Sequence, residues 1–269
     1  MYPLITFLTD FGLQDDFVGV CHGVIKRIAP HVTVLDITHG IPPQAVFQGA
    51  AVLAHAIPYM PEAVHLAVVD PEVGGDRRAV AVRTRDGRVF VGPDNGLLML
   101  AADAAGVDAA HELTEERFRL ERVSRTFHAR DVFSPAAAHL AAGVEIAELG
   151  PVVDAASLVR LPVTEPEVAT HHLRATVLAV DRFGNVQLNV RREHVDALGL
   201  VRGDRVEIAL HLDAYYALHV DTFADAGPGE LILYEDAYGA YTIAISGGDA
   251  SALTATRPGD AVRISPTNA

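Results

Sequence analysis

The sequence predicts an α/β N-terminal domain with a mostly parallel central sheet, followed by a smaller all-β, barrel-like C-terminal domain. Three observations predict it. Residues 1–160 alternate short apolar runs with segments of helical period, the pattern of β-α-β units with right-handed crossovers. Residues 161–173 hold Pro162 and Pro166 and no apolar period, which suits a linker. Residues 174–269 carry short β-like runs at close intervals, parted by turns rich in Gly and Asp.

The elements follow in order. Leu4 to Leu8 reads as a first strand, closed by Thr9-Asp10-Phe11-Gly12. A helix follows from about Asp15, with Phe17, Val20, Cys21, Val24, Ile25 and Ile28 at helical spacing, and Pro30 ends it. That places Cys21 in the core. Val32 to Ile37 is a second strand, Gln44 to Ile57 an Ala-rich second helix, and His65 to Val69 a third, buried strand. The third strand stops at Asp70, where Pro71, Gly74 and Gly75 forbid both helix and regular strand and introduce Arg77 and Arg78. Ala79 to Thr84 and Arg88 to Gly92 flank Asp86-Gly87 as a hairpin. A loop at 92–96 opens a short helix, and Thr126 to Asp131 precedes another helix at about 132–142. Beyond the linker, strands are expected at 175–180, 186–190, 205–210, 231–234, 241–245 and 261–264, with one helix at 191–198.

Composition narrows the function. The chain has 269 residues, half of them apolar, and 35 Asp+Glu against 21 Lys+Arg, a formal charge of −14. Such an acidic chain lacks the basic footprint of a nucleic-acid binder. Its single cysteine excludes an internal disulfide framework or thiolate metal site. No apolar window is long enough for a membrane span, and the N-terminus lacks the basic flank of a signal peptide. A soluble, cytoplasmic protein is expected, with no nucleic-acid or membrane partner.

Four polar loops, at 9–12, 70–78, 92–96 and 126–131, follow or flank strands of the first domain. In a parallel sheet several of them converge on the edge where ligands bind. Asp70, Arg77 and His128 then supply a carboxylate, a fixed cation and a titratable base, enough to orient and deprotonate water without a metal. Each alone is more often a capped turn, a solvated arginine or a structural histidine. The chain has no G-x-G-x-x-G after its first strand, no Walker lysine, no G-x-S-x-G and no H-E-x-x-H.

Six separated stretches carry a resemblance covering nearly the whole chain: LTDFGLQDDFVG, VVDPEVGGDRR, GPDNGLL, TFHARDVFSPAAAHLAAG, VDRFGNVQLN and TFADAGPGE. Together they resemble the S-adenosyl-L-methionine (SAM) hydroxide adenosyltransferase family, the SAM-hydrolysing relative of the SAM-dependent fluorinase and chlorinase. The resemblance implies hydrolysis of SAM to adenosine and L-methionine with no cofactor and no metal. It also implies a homotrimer with each site between the N-terminal domain of one subunit and the C-terminal domain of the next. The catalytic set would be Asp70, Arg77 and His128. Asp10 would hold the ribose, Asp15 and Asp181 the methionine end, and Phe183, Asn185 and Phe223 the adenine. The halogenases resemble one another in placing aromatic residues at the Asp and His positions and in a longer insertion near Asp86. This chain keeps both polar residues and a tight turn, which favours water over halide. An adenosine- or SAM-binding sensor with vestigial catalysis would share the same pocket. Glu72 and Gly75 depart from the family's usual DPGVG-T pattern.

Overall fold

The computed structural model describes residues 1–267, so the last two residues of the expected C-terminal domain lie outside it. The chain forms two compact units, Met1–Leu161 and Pro162–Ala269.

In the first unit the six strands found among the described residues are β1 (Leu4–Thr9), β2 (Thr33–Thr38), β3 (Val64–Val68), β4 (Ala79–Thr84), β5 (Val89–Pro93) and β6 (Val107–Glu112). They lie in the order β2-β1-β3-β5-β4-β6. The pairs β1–β2, β1–β3 and β3–β5 are parallel, whereas β4–β5 and β4–β6 are antiparallel. The sheet is therefore mixed, three of its five pairings being parallel, so the expected mostly parallel sheet is met only in part. The cause is the Asp86-Gly87 turn: a hairpin forces β4 antiparallel to β5, and β5 takes the place beside β3.

Helices α1 (Phe17–Ile28) and α4 (Ser134–Ala141) cover one face, and α2 (Val46–Ala56) and α3 (Met99–Ala105) the other. Covering both faces explains the unbroken apolar runs of β1 and β3. In β3, Val64, Leu66 and Val68 pack with α1 and α4, while Ala67, and Val69 just past the strand, pack towards α2 and α3. Helix α1 buries Val18, Cys21, Val24 and Ile25, one stripe at helical spacing, and ends at Ala29 ahead of Pro30. Burial pushes the Cys21 thiol up to about 11, so it behaves as a small core residue.

The second unit holds β7 (Glu167–Ala169), β8 (His172–Val180), β9 (Val186–Leu188), β10 (Arg205–Leu210), β11 (Asp213–His219), β12 (Leu231–Glu235), β13 (Tyr241–Ile245) and β14 (Ala261–Pro266). Strand β8 pairs with both β9 and β14, which closes a seven-stranded barrel among the described residues. Closure removes the free edges that so small a sheet would expose. Part of the expected linker is structured: β7 pairs with the start of β8 through Val168↔Leu173, despite the prolines before it. Among the described residues two α-helices appear here, α5 (Arg192–Ala197), as expected, and α6 (Ala250–Thr254). Among the described residues no helix is long and apolar enough to cross a membrane.

Candidate active site

The parallel strands point their carboxyl ends at one rim of the first unit's sheet. Asp10 follows β1, His39 follows β2, Asp70 lies just past β3, and Asp94 and Asn95 follow β5. Because β4 runs the other way, it begins at that same rim, in register Ala79↔Pro93, and the loop feeding it delivers Arg77 and Arg78 there. The Asn95 amide donates to Val69 O at 2.8 Å and pins the strand end that carries Asp70.

Three side chains form a chain of contacts. Arg77 donates from Nε to both oxygens of Asp70, at 3.0 and 3.1 Å, and from a terminal nitrogen to Asp70 Oδ2 at 2.5 Å. That same terminal nitrogen stands 2.8 Å from His128 Nδ1. Both charged side chains are 5% exposed, so the pair is shielded from solvent and held by charge-assisted bonds. The guanidinium also lies 5.2 Å from the Phe133 ring centroid. An arginine only donates, so Nδ1 must accept, and a neutral His128 carries its proton on Nε2. Burial first, then the adjacent Arg77 cation, holds the His128 pKa below its ordinary value of 6.5. The imidazole is neutral at pH 7.

The backbone around the site is built for this contact. His128 precedes a π-helical turn, Ala129–Phe133, that leads into α4. Such turns displace backbone out of the helical ladder and recur at functional sites. By sequence, Asp131 or Ser134 is a candidate cap for that helix. Asp131 is instead fully buried, bonded to Arg130 and to the Ser124 N–H at 2.8 Å, and it ties down the loop before His128. Gly74 has φ +78°, and a Cβ there would sit 2.1 Å from Arg125 O. Only glycine lets the loop after Asp70 press against the loop that carries His128.

The other expected residues fall in two places. Asp10 stands at the rim, where its Oδ2 accepts from Gln44 N at 2.8 Å. Asp15 is exposed in the bend before α1. Phe11, Phe17 and Phe127 form an edge-to-face cluster, with centroids 5.2 to 5.9 Å apart, that joins the loop of Asp10 to the loop of His128. In the second unit Asp181, Phe183 and Asn185 share the β8–β9 turn. Asp181 accepts from the N–H groups of Phe183 and Asn185 and from the Asn185 side chain, so three of its bonds lie within the turn. The register Ile243↔Val186 carries that turn to the end of the barrel where Ser246 Oγ donates to Phe223 O at 3.4 Å. Phe183 is 69% and Phe223 40% exposed, apolar faces without cover in the single chain.

Sequence reasoning missed Phe133, Asn95, Phe11 and Phe127. All four lie within the motifs already singled out, and an aromatic or amide beside a charged loop residue was the available signal.

The model of the SAM hydroxide adenosyltransferase N-terminal domain matches residues 5–150, and that of its C-terminal domain matches residues 175–263. The chain belongs to this family. Among family relatives it is similar to the (R)-S-adenosyl-L-methionine hydrolase of Salinispora arenicola, 48% identical over 97% of each chain. It is similar at greater distance to the fluorinase of Nocardia brasiliensis, 30% identical over 90% of each. Among solved structures it resembles an uncharacterized conserved protein from Thermotoga maritima, with a TM-score of 0.90 and 35% identity over 97% of this chain and 99% of that one.

Proposed function

We propose that this SAM hydroxide adenosyltransferase family member hydrolyses S-adenosyl-L-methionine to adenosine and L-methionine in the cytoplasm. The observation that carries the reading is the shielded Asp70–Arg77–His128 chain at the ligand edge of the sheet. Its support is the relative at 48% identity, whose name is that of a SAM hydrolase.

Water is the nucleophile, and a magnitude fixes when it loses its proton. Freeing hydroxide at pH 7 from water of pKa ~15.7 costs roughly 12 kcal/mol at about 1.36 kcal/mol per unit. His128 cannot meet that in the ground state, since Arg77 beside it disfavours the imidazolium. Proton loss therefore accompanies attack. The water enters between Arg77 and His128, in place of their 2.8 Å contact. Arg77 donates to its oxygen, and Nδ1, the one unprotonated ring nitrogen, takes its proton. Asp70 holds Arg77 rather than His128. As the C5′–S bond breaks, the sulfonium charge disappears and an equal charge arises on His128, so net charge in the site is constant. Methionine departs as a neutral thioether, and the protein's contribution is alignment and exclusion of bulk water. Every role in this step belongs to a side chain, with no metal and no cofactor.

Asp10 holds the ribose hydroxyls, and Asp15 lies towards the methionine end. Phe183, Asn185 and Phe223 enclose the adenine, supplied by a neighbouring subunit of a homotrimer. The exposed faces of Phe183 and Phe223 support that arrangement, and a sedimentation mass of a single chain would remove it. Asp181 shapes the adenine turn through its bonds to Phe183 and Asn185, and it lies towards the methionine end. Chromatography of SAM incubated with the pure protein tests the reaction. Adenosine and methionine in equal amounts support it, whereas adenosine bound tightly with no product formed would make the protein a sensor.

A further inference from the structure

We propose that the first unit holds a divalent transition-metal ion of the zinc class at His22, Asp36 and His39, apart from the reacting groups. These three side chains, from α1, β2 and the residue just past β2, place one ligand atom each within 4.8 Å of the others. His22 Nε2 lies 2.9 Å and His39 Nε2 3.1 Å from the same oxygen, Asp36 Oδ1. The two contacts differ in kind. His22 makes a hydrogen bond, whereas the buried His39 Nε2 meets that oxygen as an ion-pair contact outside hydrogen-bond geometry. The His39 side chain is only 3% exposed, and a buried ring nitrogen without a well-formed hydrogen bond is costly unless something occupies its lone pair.

The surroundings are those of a built ligand set. Thr9 Oγ1 holds His39 Nδ1 at 2.8 Å, which leaves Nε2 free to coordinate, the outer-shell partner typical of metal-bound histidine. Phe7 packs against both rings, with centroids 4.9 Å from His39 and 5.9 Å from His22. Two imidazoles and one carboxylate suit zinc, cobalt or nickel rather than magnesium or calcium. Bonds of ~2.1 Å put ligand atoms ~3.4 Å apart in a tetrahedron, so a movement of roughly 1 Å closes the set. His22 and Asp36 can make that movement because both are about a third exposed (32% and 38%). Their exposure also gives the ion an entry path and leaves room for water as a fourth ligand.

The ion would act as a structural clamp. His39 O accepts from Gly12 N at 2.8 Å and Thr9 Oγ1 from Phe11 N at 3.2 Å, so the ligand set is bonded to both sides of Asp10. Its place in the protein is thus to fix the loop that carries Asp10, with no part in the chemical step.

Tag-free protein, stripped with chelator and dialysed, is titrated with zinc chloride by calorimetry and with cobalt chloride by visible absorption. One equivalent of zinc binds saturably, cobalt gives tetrahedral d–d bands, and zinc raises the melting temperature. Asp36→Asn and His22→Ala each weaken zinc binding about 10-fold or more, while the paired His171→Ala/His172→Ala control binds as wild type. Circular dichroism confirms that the variants fold; Asp36→Asn is isosteric and decides the matter if His22→Ala does not. Absence of saturable binding in the wild type, or undiminished binding by Asp36→Asn, overturns the proposal.

Discussion

At the residue scale, the proposed reaction turns on which atom of His128 faces what. Arg77 occupies Nδ1, and it does so with a fork that Asp70 fixes from the other side. Lysine would keep the charge but lose the planar fork, so it cannot hold the carboxylate and the imidazole together. Arg77→Lys and His128→Ala are each expected to lower turnover by about 100-fold or more while SAM affinity stays within a few-fold. Stopped-assay rates and equilibrium binding measure the two separately, and wild-type turnover in either variant removes that residue from the reaction. The pH profile has a definite sign. With His128 proposed as the base, which must be neutral to accept a proton, and with its pKa lowered, turnover is expected to fall on the acid side with an apparent pKa below 6.5 and to be level through neutrality. A midpoint at or above 7 would contradict a base held down by Arg77. These three residues were legible in the sequence because each sits in a short polar loop beside a strand or helix. That Arg77 lies between the other two was not, since the order of contacts depends on how two loops meet.

At the scale of elements, the meeting of those loops is set by Gly74 and by the π-helical turn after His128. A methyl group on Gly74 would meet Arg125 O at 2.1 Å in a backbone conformation that already disfavours alanine. Gly74→Ala should cost the fold about 1–2 kcal/mol but cost turnover far more, because relief of the clash parts Arg77 from His128. Denaturant midpoints beside turnover numbers check this; turnover falling only in proportion to stability would show that loop contact is not required. The parallel strands and their helices could be read from apolar runs and from breaks at Pro30 and Pro58. Strand β6 could not: VDAAHE has no alternation, and its place follows from pairing with β4, through Val82↔Ala110, rather than from propensity. Strand β7 is likewise short and exposed, and exists through its partner β8.

At the scale of the whole molecule, several histidines are buried in the neutral form. His65 is fully buried, bonded through Nδ1 to Thr6 at 2.8 Å, and desolvation pushes its pKa down to about 3. Burial also lowers His139 and, with Arg77, His128. A histidine with a lowered folded pKa binds fewer protons folded than unfolded. Its contribution is intact above the unfolded value near 6.5 and is lost as pH falls from there towards the folded value, at up to about 1.4 kcal/mol per pH unit for each group. Urea midpoints should therefore drop steadily from pH 6.5 to 5, and the slope should be shallower in His65→Gln. An unchanged slope would show that His65 protonates in the folded state. The two-unit organisation was visible in the change from helical periods to short β runs. The mixed sheet was half visible, since the Asp86-Gly87 hairpin was read but not the position of β5 beside β3.

The most direct measurement is to run the reaction in water enriched in oxygen-18 and weigh both products. Attack at C5′ by a water held between Arg77 and His128 predicts adenosine heavier by one oxygen label, methionine unlabelled, and no product from Arg77→Lys on the same timescale. Label in methionine, or labelled adenosine formed at an undiminished rate by that variant, would contradict it.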